Sequence, residues 1–180
     1  MVERMRGMGF IAMYNHPVWS RVSEYEFAGE AGIFALEIFN YDTENESGTG
    51  FDTTHWDVML RAGRRVWGTA TDDNHNEGIF DDSCGGWVTV RAPELTHDAI
   101  IENLLAGNFY SSAFVECSHV SRINFIAGGE VGDGTTVMGS PFASELTCGE
   151  YKLKGRETYV RAECIDMYGR KAWTNPIFLK

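Results

Sequence analysis

The sequence has no closely paired cysteines and no long apolar run, and we expect no secretory leader. None of its four cysteines, which are Cys84, Cys117, Cys148 and Cys164, belongs to a Cys-x-x-Cys motif. This spacing argues against a zinc knuckle or a disulfide framework and favours free thiols in a reducing compartment. No apolar stretch approaches the roughly 20 residues that span a bilayer, and the opening MVERMRGMGF lacks the apolar region and cleavage site of a signal peptide. We therefore expect a soluble cytoplasmic protein with no membrane partner.

Basic residues are scarce in the first part of the chain. Residues 1–111 contain 7 Lys and Arg against 18 Asp and Glu, whereas residues 112–180 contain 8 of each. The net charge of −11 therefore comes entirely from the first part, which argues against nucleic acid as a partner. An acidic first part suits bound cations, and the alternative is an ordinary solvated acidic surface.

The hydrophobic pattern also changes along the chain. Apolar runs at residues 10–15 and 33–40, together with the stretches VWGTA and GWVTVRA, alternate with amphipathic helical stretches. This alternation predicts an α/β layer with parallel strands in residues 1–111. Beyond it, short alternating strands and turn residues predict a small antiparallel, β-sandwich-like unit in residues 112–180.

Two local predictions concern the segment between the second and third predicted strands. The stretch TTHWDVMLRAGRR predicts a helix capped by Thr53 or Thr54. The polar stretch YDTENESGTG before it predicts a surface loop.

Three residues with metal-ligand side chains follow predicted strands. His16 closes the first strand, and Asp73 and His75 close the third, in TDDNH. The carboxyl ends of parallel strands converge on one rim, and alternate residues of an extended segment point the same way. Imidazole and carboxylate suit zinc, manganese or iron(II). The alternatives are a surface or helix-capping histidine and a turn-capping aspartate, and spacing alone does not choose between Asp72 and Asp73.

Several motifs resemble the carboxyl-terminal part of PHP-domain proteins, the polymerase and histidinol phosphatase superfamily. They include FIAMYNHPVWS, ALEIFNY, WDVMLRAGRRVWGTATDDNH and YVRAECIDMYGRKAWTNPI, and they are most similar to the metal-dependent phosphoesterase branch. The resemblance implies the carboxyl-terminal half of a distorted (β/α)7 barrel that binds two or three divalent metals, followed by the β unit.

The resemblance also implies roles for individual residues. It makes His16, Asp73 and His75 ligands of different metals and favours Asp73 over Asp72. Side chains that could line the same pocket are those of Asn15, Glu37, Asn40 and Asp72. For Glu37 the alternative is a buried carboxylate paired with a neighbouring cation.

The chain departs from the family pattern at its start. The His-x-His motif of the first family strand is absent, and the opening VERMRGMG looks like the end of a helix. We therefore expect a partial barrel that hydrolyses a small phosphate ester only beside a polypeptide carrying the amino-terminal half, or within a homo-oligomer. The alternative is a non-catalytic binding or structural remnant of a PHP protein.

Overall fold

Two separate β-sheets organise the chain. The computed structural model describes residues 1–27, 29–75, 82–113, 119–139 and 146–179. The helices are α1 (Val2–Gly7), α2 (Glu24–Phe27), α3 (Tyr41–Ser47), α4 (Thr53–Arg61) and α5 (His97–Leu105). The strands are β1 (Ala12–Tyr14), β2 (Ile33–Asn40), β3 (Trp67–Thr71), β4 (Gly86–Val90), β5 (Phe109–Ala113), β6 (Arg122–Gly128), β7 (Thr135–Met138), β8 (Tyr159–Ile165), β9 (Lys171–Thr174) and β10 (Ile177–Phe178).

The first sheet is parallel, with the order β1-β2-β3. Its central strand β2 reads IFALEIFN and is buried along almost its whole length, as a continuous apolar run predicts for a strand covered on both faces. Because all three strands run in the same direction, the segments that follow them leave the sheet at one edge.

The second sheet is antiparallel and larger. Its order is β4-β5-β9-β8-β6-β7, and β10 pairs with β8. A mixed α/β architecture is confirmed, but the prediction that GWVTVRA extends the parallel layer is wrong, because β4 pairs antiparallel with β5. The strands of the described residues form two open sheets and no closed barrel. The predicted division between residues 111 and 112 falls inside β5, and it stays a prediction.

Helix α4 and the two sheets share one hydrophobic core. Trp56, Met59 and Leu60 face inward from α4, and they meet Phe39 of β2 and Trp173 of β9 in a single buried cluster. The cap of α4 is one residue earlier than predicted, because the side chain of Asp52 accepts a hydrogen bond from the His55 amide at 3.2 Å.

Side chains from the second sheet also close the outer edge of β3. The Asn175 Oδ1 atom accepts a hydrogen bond from the Gly68 amide at 3.1 Å, and the Ser111 hydroxyl donates to the Gly68 carbonyl at 2.7 Å. Glycine is needed at this position because a Cβ atom would lie 2.8 Å from the Trp56 ring. Within the described residues, no helix has both the length and the apolar character needed to cross a bilayer.

Candidate metal centre

A cavity of about 370 Å³ opens at the carboxyl edge of the parallel sheet. We call it the rim cavity, and its lining residues are His16, Trp19, Asp42, Thr43, Glu46, Asp73, His75 and Asp82. The three residues singled out as metal ligands from the sequence all line it. His16 follows β1, whereas Asp73 and His75 follow β3, so the parallel strands bring together residues that are far apart in the chain.

His16 and Asp73 form a close pair in strained backbone. The His16 Nε2 atom lies 3.8 Å from Asp73 Oδ2. The φ angle is +33° at His16 and +54° at Asp73, in the region that residues other than glycine rarely adopt. Such conformations cost about 1–3 kcal/mol each and persist where the surrounding contacts impose them.

Glu37 lies beneath this pair in the centre of the parallel sheet. Its side chain is buried, and its carboxylate accepts hydrogen bonds from the His16 amide at 2.6 Å, the Asn40 side-chain amide at 3.0 Å and the Thr71 hydroxyl at 2.5 Å. Burial raises the pKa of Glu37, and these hydrogen bonds oppose that shift. The sequence left open a pairing of Glu37 with a neighbouring cation. Its hydrogen-bond partners in the structure are instead neutral donors from three neighbouring segments.

Asn40 connects Glu37 to the rest of the cavity. Its Nδ2 atom donates to Glu37 and also to Asp73 Oδ2, at 2.9 Å. Its Oδ1 atom accepts from the Thr43 amide at 2.9 Å and thereby caps helix α3. The amide group therefore holds one cavity wall and one cavity carboxylate at the same time.

A second group in the cavity has the composition of a cation site. His75 Nδ1 lies 3.7 Å from Asp42 Oδ2, and the His75 amide donates to Asp82 Oδ2 at 2.7 Å. One ligand atom from each of Asp42, His75 and Asp82 lies within 4.8 Å of the other two. Ligands of a zinc ion lie about 2.0–2.2 Å from it, so small side-chain rotations would bring these three donors into a first coordination shell.

The charge around Asp42 supports the same assignment. Burial raises the pKa of Asp42, the carboxylates of Asp73, Asp82 and Glu46 raise it further, and only His75 lowers it. Repulsion among these carboxylates favours either protons or a bound cation. Mixed carboxylate and imidazole donors suit zinc, manganese and iron(II).

No family model matches the chain, and no curated protein or solved structure matches it. The resemblance to PHP proteins stays a prediction from sequence motifs.

Two of the residues suggested for the pocket lie elsewhere. The Asp72 carboxylate accepts hydrogen bonds from the amides of Cys84, Gly85 and Gly86, at 2.7, 2.8 and 2.8 Å. It therefore anchors the backbone that leads into β4, and Asp73, its neighbour, is the aspartate that lines the cavity. Asn15 is exposed and is not among the lining residues.

Sequence reasoning missed four lining residues that carry charge or an aromatic ring. Asp42 and Glu46 lie on α3, where a loop was predicted; the capping residue Asn40 was the available signal. Trp19 is 44% exposed and donates its ring N–H to Glu46 at 2.7 Å. No sequence signal connects Asp82 to His75.

Proposed function

We propose that the chain is a metal-dependent hydrolase of phosphate esters, of PHP type, with its active site in the rim cavity. The observation that carries this proposal is the grouping of Asp42, His75 and Asp82 beside the His16–Asp73 pair at one sheet edge. Sites of α/β proteins lie at the carboxyl ends of their parallel strands. The family motifs agree with this location.

The chain's own residues would divide the work as follows. Asp42, His75 and Asp82 hold a divalent cation, with zinc, manganese and iron as the candidates. His16 and Asp73 face the same space and either complete a second cation site or bind the substrate. The cation, when bound, activates water for attack and neutralises charge on the phosphoryl oxygens.

The charge of the cavity makes cation binding a condition for substrate binding. Four carboxylates line it, those of Asp42, Glu46, Asp73 and Asp82, and its described lining contains no Lys or Arg. A phosphate ester is an anion, and carboxylates a few ångströms away repel it strongly in a partly buried site. Phosphate binding therefore depends on a cation that offsets part of this charge and contacts the phosphate directly.

The proposal includes a partner that completes the site. The sequence lacks the His-x-His motif of the family, and three protein ligands leave coordination positions open on a cation. A polypeptide that carries the amino-terminal half of a PHP barrel would supply the missing ligands, and a second copy of the chain is the other source. Hydrolysis by the isolated chain is expected to be slow.

The contrasting function is a cation-binding module without catalysis, which the absence of the His-x-His motif favours. Measuring cation binding and hydrolysis in one series of proteins separates the two. An active complex with a complementing polypeptide supports the hydrolase, whereas cation binding without hydrolysis in any complex supports the module.

The test compares His75→Ala with a matched control, His97→Ala. His97 is an exposed histidine whose ring nitrogen lies 3.0 Å from Asp98, and it lies outside the cavity. We expect manganese or zinc binding, measured by calorimetry, to weaken at least about tenfold in His75→Ala, as for loss of a metal ligand or its support, and to stay unchanged in His97→Ala. Chelator-sensitive hydrolysis of an aryl phosphate at pH 7–9, with the complementing polypeptide, should likewise weaken in His75→Ala and stay unchanged in His97→Ala. Equal cation binding by wild type and His75→Ala would contradict the assignment.

A further inference from the structure

We infer that Glu37 and Asn40 are positioning residues that hold His16 and Asp73 as a preformed pair at the rim cavity. The inference deepens the proposed function, because the pair is argued to serve the same site. It stands on hydrogen bonds, burial and backbone geometry that exist without a cation.

The first step is the reach of the Glu37 carboxylate. Its Oε2 atom accepts from the His16 amide at 2.6 Å and from Asn40 Nδ2 at 3.0 Å, and its Oε1 atom accepts from the Thr71 hydroxyl at 2.5 Å. These donors belong to the segment after β1, to β2 and to the end of β3. One buried side chain therefore ties together the ends of three adjacent strands.

The second step is the transfer of this order to Asp73. The two protons of the Asn40 side-chain amide serve Glu37 and Asp73, and its oxygen serves the α3 cap. Asn40 is 1% exposed, so water does not replace these bonds when they are lost. Asp73 is consequently oriented by a group that is itself oriented by Glu37.

The third step is the strain at both ends of the network. His16 and Asp73 both have positive φ angles, and each is held by this network, His16 through its amide and Asp73 through its carboxylate. Strained backbone persists only where other contacts impose it. The network explains why the pair keeps this geometry.

The inference makes the acceptor oxygens of residue 37 essential and its charge dispensable. In Glu37→Gln, the amide oxygen can face His16 and Asn40 while the amide nitrogen donates to the Thr71 hydroxyl, which accepts as readily as it donates. In Glu37→Met, a side chain of similar length removes both acceptors. In Asn40→Ser, the hydroxyl can still cap α3, but nothing reaches Asp73.

The matched control is Glu157→Gln in the second sheet's loops. Glu157 is also 1% exposed, and it accepts hydrogen bonds from the Lys154 amide, the Arg156 amide and the Tyr151 hydroxyl. It is a buried glutamate with neutral donors, like Glu37, but none of these hydrogen-bond partners lines the rim cavity, whereas His16, a partner of Glu37, does. A general loss of stability would affect both substitutions in the same way.

The experiment uses two measurements on the full chain. The first measurement is NMR of the metal-free protein. It follows the chemical shift of the His16 amide proton, which is donated to the Glu37 carboxylate, and the cross-relaxation between the His16 ring and Asp73. We expect Glu37→Met to move the His16 amide proton upfield and Asn40→Ser to abolish the ring-to-Asp73 signal, while Glu37→Gln and Glu157→Gln keep both signals.

The second measurement is cobalt(II) affinity, read from the visible absorption of the bound ion. Loss of residues that orient metal ligands weakens affinity about 10–100-fold, and we expect this for Glu37→Met and Asn40→Ser. Glu37→Gln keeps the hydrogen bonds of the network and Glu157→Gln lies outside it, so both should stay within about twofold of wild type. If Glu37→Met does not fold, Thr71→Val, which removes one donor, should give the same NMR change in smaller degree.

The outcomes are distinguishable from failure of the proposed function. A wild-type chain that binds no cobalt refutes the metal site, and the NMR measurement then decides the positioning role by itself. Unchanged His16 and Asp73 signals in folded Glu37→Met and Asn40→Ser would overturn the inference. Equal loss of cobalt affinity in Glu157→Gln would overturn it as well, because the effect would then be one of general stability.

Discussion

Two acidic clusters among the described residues differ in one respect: the first includes its own cations, whereas the described lining of the second has no Lys or Arg. In the loops of the antiparallel sheet, the buried Asp133 accepts hydrogen bonds from Arg156, at 2.5–3.0 Å, and from Lys154 Nζ at 3.3 Å. Arg156 holds the pKa of Asp133 well below its usual range, and backbone donors lower that of Glu157 to about 2. We call the group formed by Asp133, Lys154, Arg156 and Glu157 the loop cluster.

The rim cavity has the opposite character. Burial raises the pKa of Glu37 and of Asp42, and the carboxylates around Asp42 add to its shift. In the loop cluster, charge is neutralised within the fold, so the cluster is complete as it stands. In the cavity, negative charge is concentrated without a described Lys or Arg in the lining, and under the proposed function it is a bound cation that neutralises it.

The largest expected effect is on the loop cluster. Arg156→Met removes the guanidinium that bonds to both oxygens of Asp133 and leaves it the longer contact to Lys154 Nζ, and a buried charge that loses its main partner destabilises the folded state. The urea midpoint of unfolding, followed by tryptophan fluorescence, should fall further than for any other substitution named here. Arg4→Met, on the exposed surface of α1, is the control, and an equal midpoint in the two variants would refute the distinction between the clusters.

The next effect is stabilisation by an external cation. A ligand present at 100 times its dissociation constant raises the free energy of unfolding by about 2.7 kcal/mol, and we expect this of manganese or zinc with the wild-type chain. Asp82→Asn should reduce the gain, because Asp82 contributes a buried carboxylate to the proposed cation site. Asp98→Asn, at a fully exposed aspartate, should leave the gain intact; an identical loss in both variants would contradict the site.

The two buried glutamates should give opposite pH dependences in the presence of a chelator. The folded-state pKa of Glu37 lies above its ordinary value of 4.5, so the folded state holds a proton that the unfolded state has lost. The wild-type free energy of unfolding should therefore fall as the pH rises from 4.5 through the raised pKa. Glu37→Gln should flatten this slope.

For Glu157 the sign is reversed. Its folded-state pKa of about 2 lies below the ordinary 4.5, so its stabilisation is present above pH 4.5 and is lost as the pH falls toward 2. Glu157→Gln should flatten the acidic side of the profile. Urea unfolding measured from about pH 2 to above the raised pKa of Glu37 gives both slopes. A Glu37→Gln profile that still falls with rising pH would show that another group is responsible for the slope.

The smallest effect is expected when a positively charged side chain is introduced beside the cavity carboxylates. Glu46→Lys places an ammonium group near the carboxyl end of α3 and close to the cavity carboxylates. We expect the cation-free protein to gain about 0.3–1 kcal/mol and its manganese affinity to fall. Glu150→Lys, at an exposed position, makes the same charge change as a control. A manganese affinity equal in the two variants would mean that the cavity charge does not govern binding.

The location of the cavity was predictable, but five of its eight lining residues were not. A buried apolar run and the rule for parallel strand ends were enough to bring His16, Asp73 and His75 to one edge. Helix α3 was missed because its residues are those of a loop, and it depends on the Asn40 cap and on Gly48 at φ +67°. Pattern alone also does not name a strand's partner, and β5 pairs with β9 at Ser111 and Trp173, far apart in the chain.

The closure of β3 by Asn175 has a consequence for synthesis. Gly68 is complete at its outer edge only when a residue 107 positions later has been made. At about 5–20 residues per second, that interval lasts about 5–20 s on a ribosome. Throughout it the Gly68 amide lacks this partner, and unpaired strand-edge amides are groups that other chains pair with. The strand that leads to Asp73 and His75 therefore emerges well before the side chain that closes its outer edge.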